Sequence, residues 1–391
     1  LSTRLSELYN ANIYLKREDL QNTRSFKLRG ALNKMITQTN NSDYIVCASA
    51  GNHAQGVAFA CNLLNKNGII YLPETTPKQK INRIKYYGKD NIILKITGDN
   101  FSQTLSQSLE FSEKNNYQFI HPYNDYKVIE GQSTIMKEII EDLDFYPDII
   151  SCCVGGGGLV SGITSYLNEL NKESNYKIKI IGNEPENADS LNQALLKGYP
   201  VEINNIDNFV DGASVKKIGD INFDILHKNL TSDNVNVISK GKICQELLNL
   251  YQEEGIVLEP AGVLSVCGLE YLDKNDIKGK NIVCVLSGGN NDILRYPEII
   301  EIYNRYINIK HYYIIEFSQK PNELKKFILN VLGNEDDITR FEYIKKTNKT
   351  FGNVLVGIET KNYKNIENNL EKYNFKYSKI EEDDLIYSYL I

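Results

Sequence analysis

Residues 149–159, Ile-Ile-Ser-Cys-Cys-Val-Gly-Gly-Gly-Gly-Leu, join an apolar run of strand length to a tetraglycine loop, and a segment of helical period (158–170) follows at once. So short an apolar run, without polar alternation, suits a strand buried on both faces. Gly155, Gly156, Gly157 and Gly158 let several backbone N–H groups converge on an anion at a helix N-terminus without Cβ obstruction, which predicts a phosphate cradle. A plain flexible turn would have the same spelling. A Rossmann dinucleotide site is a second rival, but G-x-G-x-x-G fits loosely, and the acid expected after the next strand is represented only by Glu184. A single phosphate is the better fit.

Outward from this stretch the same alternation continues. Short β-branched runs at 12–16, 44–48, 69–72, 91–96, 119–121, 149–154, 177–182, 235–238 and 281–286 read as strands. Segments of helical period, such as 54–65, 77–87, 100–115 and 158–170, lie between them. This pattern predicts an α/β protein with mostly parallel sheets covered on both faces. After residue 308 the pattern changes to strand 311–317, helix 321–332, strands 338–346 and 353–360 around a turn, helix 363–373 and strand 375–380. That order, β-α-β-β-α-β, is the ferredoxin-like module. It carries no catalytic constellation, so a packing or dimerisation module and an effector-binding domain both remain open.

Composition narrows the function classes. The chain has 391 residues, 41% hydrophobic content and 24% charge, enough for two to three domains with ordinary cores. A net charge of −6 without a basic block gives no footprint for nucleic acid or an anionic membrane, so small molecules are the expected partners. The apolar runs are far shorter than the roughly 20 residues that span a bilayer. The chain starts with Leu1 in a helical pattern, so no signal peptide is expected, and a few residues are expected upstream. Seven cysteines in apolar runs suit reduced thiols in the cytoplasm. No C-x-x-C occurs and the four histidines are scattered, so no metal site is expected.

Three further stretches carry chemistry. In Ser25-Phe26-Lys27-Leu28-Arg29-Gly30, apolar neighbours desolvate Lys27, lowering its pKa and freeing the amine to attack a carbonyl. Taken alone, such a lysine is more often a solvated surface charge. Ser49-Ala50-Gly51-Asn52-His53-Ala54-Gln55-Gly56 follows strand 44–48 and offers N–H groups and a hydroxyl to an anion such as a substrate carboxylate, or serves as an ordinary N-cap. Ser287-Gly288-Gly289-Asn290 places a hydroxyl at the carboxyl end of strand 281–286, where α/β ligands sit; a simple turn is the bland alternative.

Together with Glu259-Pro260-Ala261-Gly262, these pieces follow the order and spacing of one family. The chain resembles the fold type II pyridoxal-phosphate enzymes, and within them the threonine and serine dehydratases and serine racemase, over residues 1–305. The tail resembles the single ACT-like regulatory domain of biosynthetic threonine dehydratases. The resemblance implies a tryptophan synthase β-like catalytic domain at 1–308 with two lobes of parallel sheet, the smaller and mobile one at about 42–121. A ferredoxin-like ACT domain would occupy 309–391.

By the same resemblance, Lys27 binds pyridoxal 5'-phosphate covalently and later acts as the base at Cα. Phe26 packs on the cofactor ring, Asn52 bonds its 3-hydroxyl, the backbone from Gly155 to Leu159 holds the phosphate, and Ser287 faces the ring nitrogen. Ser49, Gly51, Asn52 and His53 take the substrate carboxylate. A neutral Ser partner favours elimination over transamination. The implied reaction converts L-threonine to 2-oxobutanoate and ammonia, the first step of isoleucine biosynthesis. Feedback by isoleucine, with valine as a second effector, and a homo-oligomer, dimer or tetramer, are implied with it. Serine dehydratase or racemase activity is the alternative, with L-serine as substrate, but those enzymes generally lack such a tail. A β-replacement synthase would need a differently spelled asparagine loop.

Three positions depart from the family pattern. Ser133 in Glu130-Gly131-Gln132-Ser133-Thr134 replaces a glycine, so a positive φ there would demand backbone adjustment. Tyr87-Gly88 stands where Phe-Gly is usual, and Ser287-Gly288-Gly289-Asn290 is nearer the racemase spelling.

Overall fold

The computed structural model describes residues 1–37, 42–173, 177–344, 349–381, 384–387 and 390. Two units divide the chain, Leu1–Asp292 and Ile293–Ile391. The division falls earlier than the change of pattern at 308, because helix Tyr296–Tyr306 packs against the first strand of the tail. Its Ile299 and Ile302 are buried, and Glu301 pairs with Lys310 at 2.6 Å.

The first unit contains two parallel sheets. Strands β1 (Asn12–Arg17), β6 (Ile149–Cys153), β7 (Lys179–Pro185), β8 (Val235–Ile238) and β9 (Asn281–Leu286) form one, in the order β1-β9-β6-β7-β8. Strands β2 (Tyr44–Ala48), β3 (Asn67–Leu72), β4 (Ile92–Ile96) and β5 (Gln118–Phe119) form the other, in the order β4-β3-β2-β5. All pairings in both are parallel. Strand β6 is the centre of its sheet and buried at every residue, which its unbroken apolar run predicts. Strand β2 shows the double cover residue by residue. Ile45 and Cys47 join one core with helix Asn52–Leu63, while Val46 and Ala48 join another with Leu105 and Phe111 of helix Phe101–Lys114.

Strand β5 is shorter than the expected 119–121. The chain turns at His121, whose Nδ1 accepts the backbone N–H groups of Tyr123 (3.3 Å) and Asn124 (2.8 Å) instead of continuing the ladder. Ser133 needs no backbone adjustment. It lies inside helix Tyr126–Asp142, absent from the positive-φ residues, with its hydroxyl donating to Glu130 O at 2.6 Å. All seven cysteines are buried and outside any disulfide. Among the described residues no helix is long and apolar enough to cross a membrane, and no group of three or more His, Cys, Asp or Glu is placed to hold a metal.

The second unit carries an antiparallel sheet of β10 (Lys310–Ser318), β11 (Asp337–Tyr343), β12 (Phe351–Glu359) and β13 (Lys376–Lys379), in the order β11-β12-β10-β13. With helices Glu323–Val331 and Tyr363–Lys372 this is the ferredoxin-like order. Part of the expected strand 338–346 and of the turn after it falls on 345–348, outside the described residues. Phe317 anchors the core, with ring centroids 5.3 Å from Phe327 and 5.5 Å from Phe375. Phe327→Ala is expected to destabilise this unit by about 3–5 kcal/mol through lost burial and the cavity left behind. Urea denaturation followed by circular dichroism measures it; a loss below about 1 kcal/mol would mean that the site collapses to fill the space.

Candidate active site

Strands β6 and β9 are neighbours and parallel, so the loops at their carboxyl ends emerge side by side, in the crevice position of open α/β sheets. The first loop is the glycine run and the second starts with Ser287. A third segment joins them: Phe26 N–H donates to Ser287 O at 3.1 Å, Gly289 N–H to Arg24 O at 2.9 Å, and Ser25 pairs with Gly288 as a short bridge. Lys27 therefore starts helix Lys27–Thr37 beside Ser287. The helix is pinned by Arg29, whose guanidinium forks onto Glu18 (both contacts 2.8 Å) and Glu138 (both 2.6 Å).

A cavity of about 400 Å³, open at its mouth, lies among these loops. Phe26, Lys27, Asn52, the four loop glycines, Leu159 and Ser287 all line it. Lys27 is half-buried, its Nζ donates to Pro122 O at 3.2 Å and stands 5.2 Å from the Phe26 ring centroid. Burial holds its pKa below the usual lysine value, opposed by Cys153 and Glu259. The shift favours the neutral, nucleophilic amine.

The glycine loop is tightest at its centre. A Cβ on Gly156 would lie 2.2 Å from Cγ of Tyr123, and Gly157 has φ +91°, where an L side chain is strained. Asn222 fastens the loop by donating to Gly156 O at 2.9 Å and Tyr123 O at 3.0 Å. The cradle thus leads from the end of β6 into helix Gly158–Glu173, as an anion site requires.

Ser49, Gly51 and His53 share the junction between β2 and helix Asn52–Leu63 with Asn52 but are not on the cavity wall. Ser49 Oγ accepts Gly51 N–H at 3.1 Å. The His53 side chain is committed elsewhere. Its Nε2 is 2.8 Å from Ile120 O, and burial pushes its pKa down to about 3, so the ring is neutral and only its backbone N–H remains for a ligand. Ser287 Oγ donates to Ala261 O at 3.2 Å and is also bonded to the Cys153 thiol.

Cys153, Gly212, Glu259 and Ala261 line the cavity without having been assigned roles from the sequence. Adjacency to the glycine loop could have pointed to Cys153, and the Glu-Pro-Ala-Gly motif to Glu259 and Ala261. Gly212 had no local signal.

Comparisons with known proteins agree with this geometry. Residues 1–288 match the model of the family described as pyridoxal-phosphate dependent enzyme, and residues 304–390 that of the C-terminal regulatory domain of threonine dehydratase. The biosynthetic L-threonine dehydratase IlvA of Halalkalibacterium halodurans is 45% identical over 99% of this chain and 93% of its own length. Its Bacillus subtilis counterpart is also 45% identical, over 99% and 92%. The solved structure of processed threonine deaminase isoform 2 from Solanum lycopersicum superposes with a TM-score of 0.70 at 34% identity, covering 77% of this chain and 86% of that one.

Proposed function

Because the chain belongs to the pyridoxal-phosphate dependent enzymes, and within them to the biosynthetic threonine dehydratases, we propose that the cavity walled by Lys27, Asn52 and the glycine loop is where L-threonine becomes 2-oxobutanoate and ammonia. The enzyme is a pyridoxal-phosphate-dependent lyase with a C-terminal regulatory domain, and the reaction opens isoleucine biosynthesis. The single observation that carries the site assignment is a desolvated lysine facing a cradle whose central glycines, Gly156 and Gly157, leave no place for a Cβ.

The residues present fit the cofactor. The loop from Gly155 to Leu159 offers backbone N–H groups to a phosphate, Lys27 an amine to an aldehyde, Phe26 a ring to stack on, and Asn52 an amide to a ring oxygen. Ser287 contributes a neutral hydroxyl, which suits the ring nitrogen. When bound, pyridoxal phosphate supplies an aldehyde for the substrate amine and a ring that draws electrons from Cα, making its hydrogen acidic.

This chain's groups do the rest. Lys27, as a free amine, takes the Cα proton, and its lowered pKa favours the neutral form that can do so. The β-hydroxyl departs with a proton as water, and the released enamine tautomerises and takes up one water as it loses ammonia. Backbone N–H groups at Asn52 and His53 hold the carboxylate at the helix N-terminus, with Gly51 and the Ser49 hydroxyl that accepts its N–H beside them. The lobe at about 42–121 closes over the substrate and excludes water. Lys80 pairs with Asp211, and Arg83 donates to Asn290 at 3.0 Å, so this lobe is linked to the rest of the first unit by polar contacts.

The regulatory unit, which we place at 309–391, binds isoleucine, with valine as a second effector, and the enzyme works as a cytoplasmic homo-oligomer. Purified protein given pyridoxal phosphate is expected to form 2-oxobutanoate from threonine and to be inhibited by isoleucine. A protein that binds the cofactor but leaves threonine unchanged would refute the substrate. One indifferent to isoleucine and valine would refute the effector.

A further inference from the structure

Glu259 caps helix Pro260–Cys267 and is only 5% exposed, yet its side chain lines the cavity. Its Oε1 accepts Asn52 Nδ2–H at 2.6 Å. The other end of the Asn52 amide is held too, since Oδ1 accepts Asn290 Nδ2–H at 2.8 Å. Asn290 is itself fixed, donating to Thr23 O at 2.8 Å and accepting from Arg83 at 3.0 Å. With an acceptor at its nitrogen and a donor at its oxygen, the Asn52 amide cannot flip. The second Nδ2–H is then what it offers to a ligand. Room for the carboxyl is made by glycine, since a Cβ on Gly288 would lie 2.5 Å from Glu259 Oε1.

We propose that Glu259 is a positioning residue for this reaction: as a carboxylate it holds the Asn52 amide so that an N–H, never the carbonyl oxygen, meets the ring oxygen of the cofactor. This rests on the function proposed above. Four charged or titratable groups act on Glu259: Asp211, its ion-pair partner Lys80, Lys27 and Cys153. Burial first, then Asp211, raises the carboxyl to about 7, while Asn52, Lys80 and Lys27 pull it down. Above that pH the anion grips Asn52 strongly. Below it the neutral acid accepts only through its carbonyl oxygen, so the grip loosens as pH falls.

The test titrates the visible absorbance of the holoenzyme between about pH 6 and 9 and measures the pyridoxal phosphate dissociation constant, for wild type, Glu259→Gln and Glu259→Asp. Glu259→Gln should raise the dissociation constant about tenfold and abolish the spectral transition near neutrality. Glu259→Asp, which keeps the charge one methylene further back, should retain a transition at shifted pH with a smaller loss of affinity. A coloured wild type whose Gln variant keeps the same spectral transition and affinity would overturn the positioning role alone, even if its melting temperature falls. A wild type that pyridoxal phosphate cannot colour would overturn the proposed function and the role with it. If Glu259→Gln does not fold, an Asp variant titrating like wild type overturns the proposal.

Discussion

Lys27→Ala should abolish both turnover of threonine and the visible absorbance that pyridoxal phosphate confers on the wild type. The two losses have one cause. On the proposed function the lysine amine is the group that the cofactor aldehyde would bond, and the same amine would take the Cα proton; no second amine stands on the cavity wall among the described residues. Removing a positioned base alone costs about 10²–10⁴-fold, and loss of the covalent anchor adds to it. The fold should survive, since Lys27 opens its helix and the hydrogen bond its side chain loses is the one to Pro122 O, while Arg29 keeps its four contacts to Glu18 and Glu138. Absorbance spectra and a 2-oxobutanoate assay read the two effects separately. A variant that still turns over threonine at a tenth of the wild-type rate would eliminate Lys27 as the base.

Gly156→Ala should weaken pyridoxal phosphate binding by about ten- to a hundredfold, the equivalent of 1–3 kcal/mol of overpacking. The added methyl would sit 2.2 Å from Tyr123 Cγ, and Tyr123 has little freedom to yield. Its N–H is held by His121, its carbonyl by Asn222 at 3.0 Å, and its ring packs edge-on against His121 at 4.8 Å. The loop must therefore move, and with it the N–H groups that define the cradle. Tyr123→Ala added to Gly156→Ala restores the space, so the pair should be strongly non-additive. An unchanged dissociation constant in the single variant would remove the glycine run from the cofactor site.

Periodicity and spacing made most elements legible, because they are local. Strand β6, the glycine run after it and the β-α-β-β-α-β order of the tail were all readable from residues adjacent in the chain. So was the desolvation of Lys27 by its neighbours. His53 shows the limit of that kind of reasoning. Its place in the Ser-Ala-Gly-Asn-His stretch put His53 among the residues that take the substrate carboxylate, without saying where its ring goes; the ring turns to Ile120 O, just past the end of β5 and far along the sequence.

By itself, then, the amino-acid sequence determined the class of fold and a glycine loop able to cradle a phosphate, since each rests on a few consecutive residues whose backbone geometry is locally dictated, while the cofactor followed from the resemblance of several motifs taken together to one family. Tertiary structure alone decided the pairing order that sets β9 beside β6, the unit boundary at Asp292, and the presence of Gly212 in the cavity wall. The Asn52–Glu259 bond joins residues separated by 207 positions. Such a contact has no local signature, because its stability comes from burial and from neighbours that only folding brings within hydrogen-bond reach.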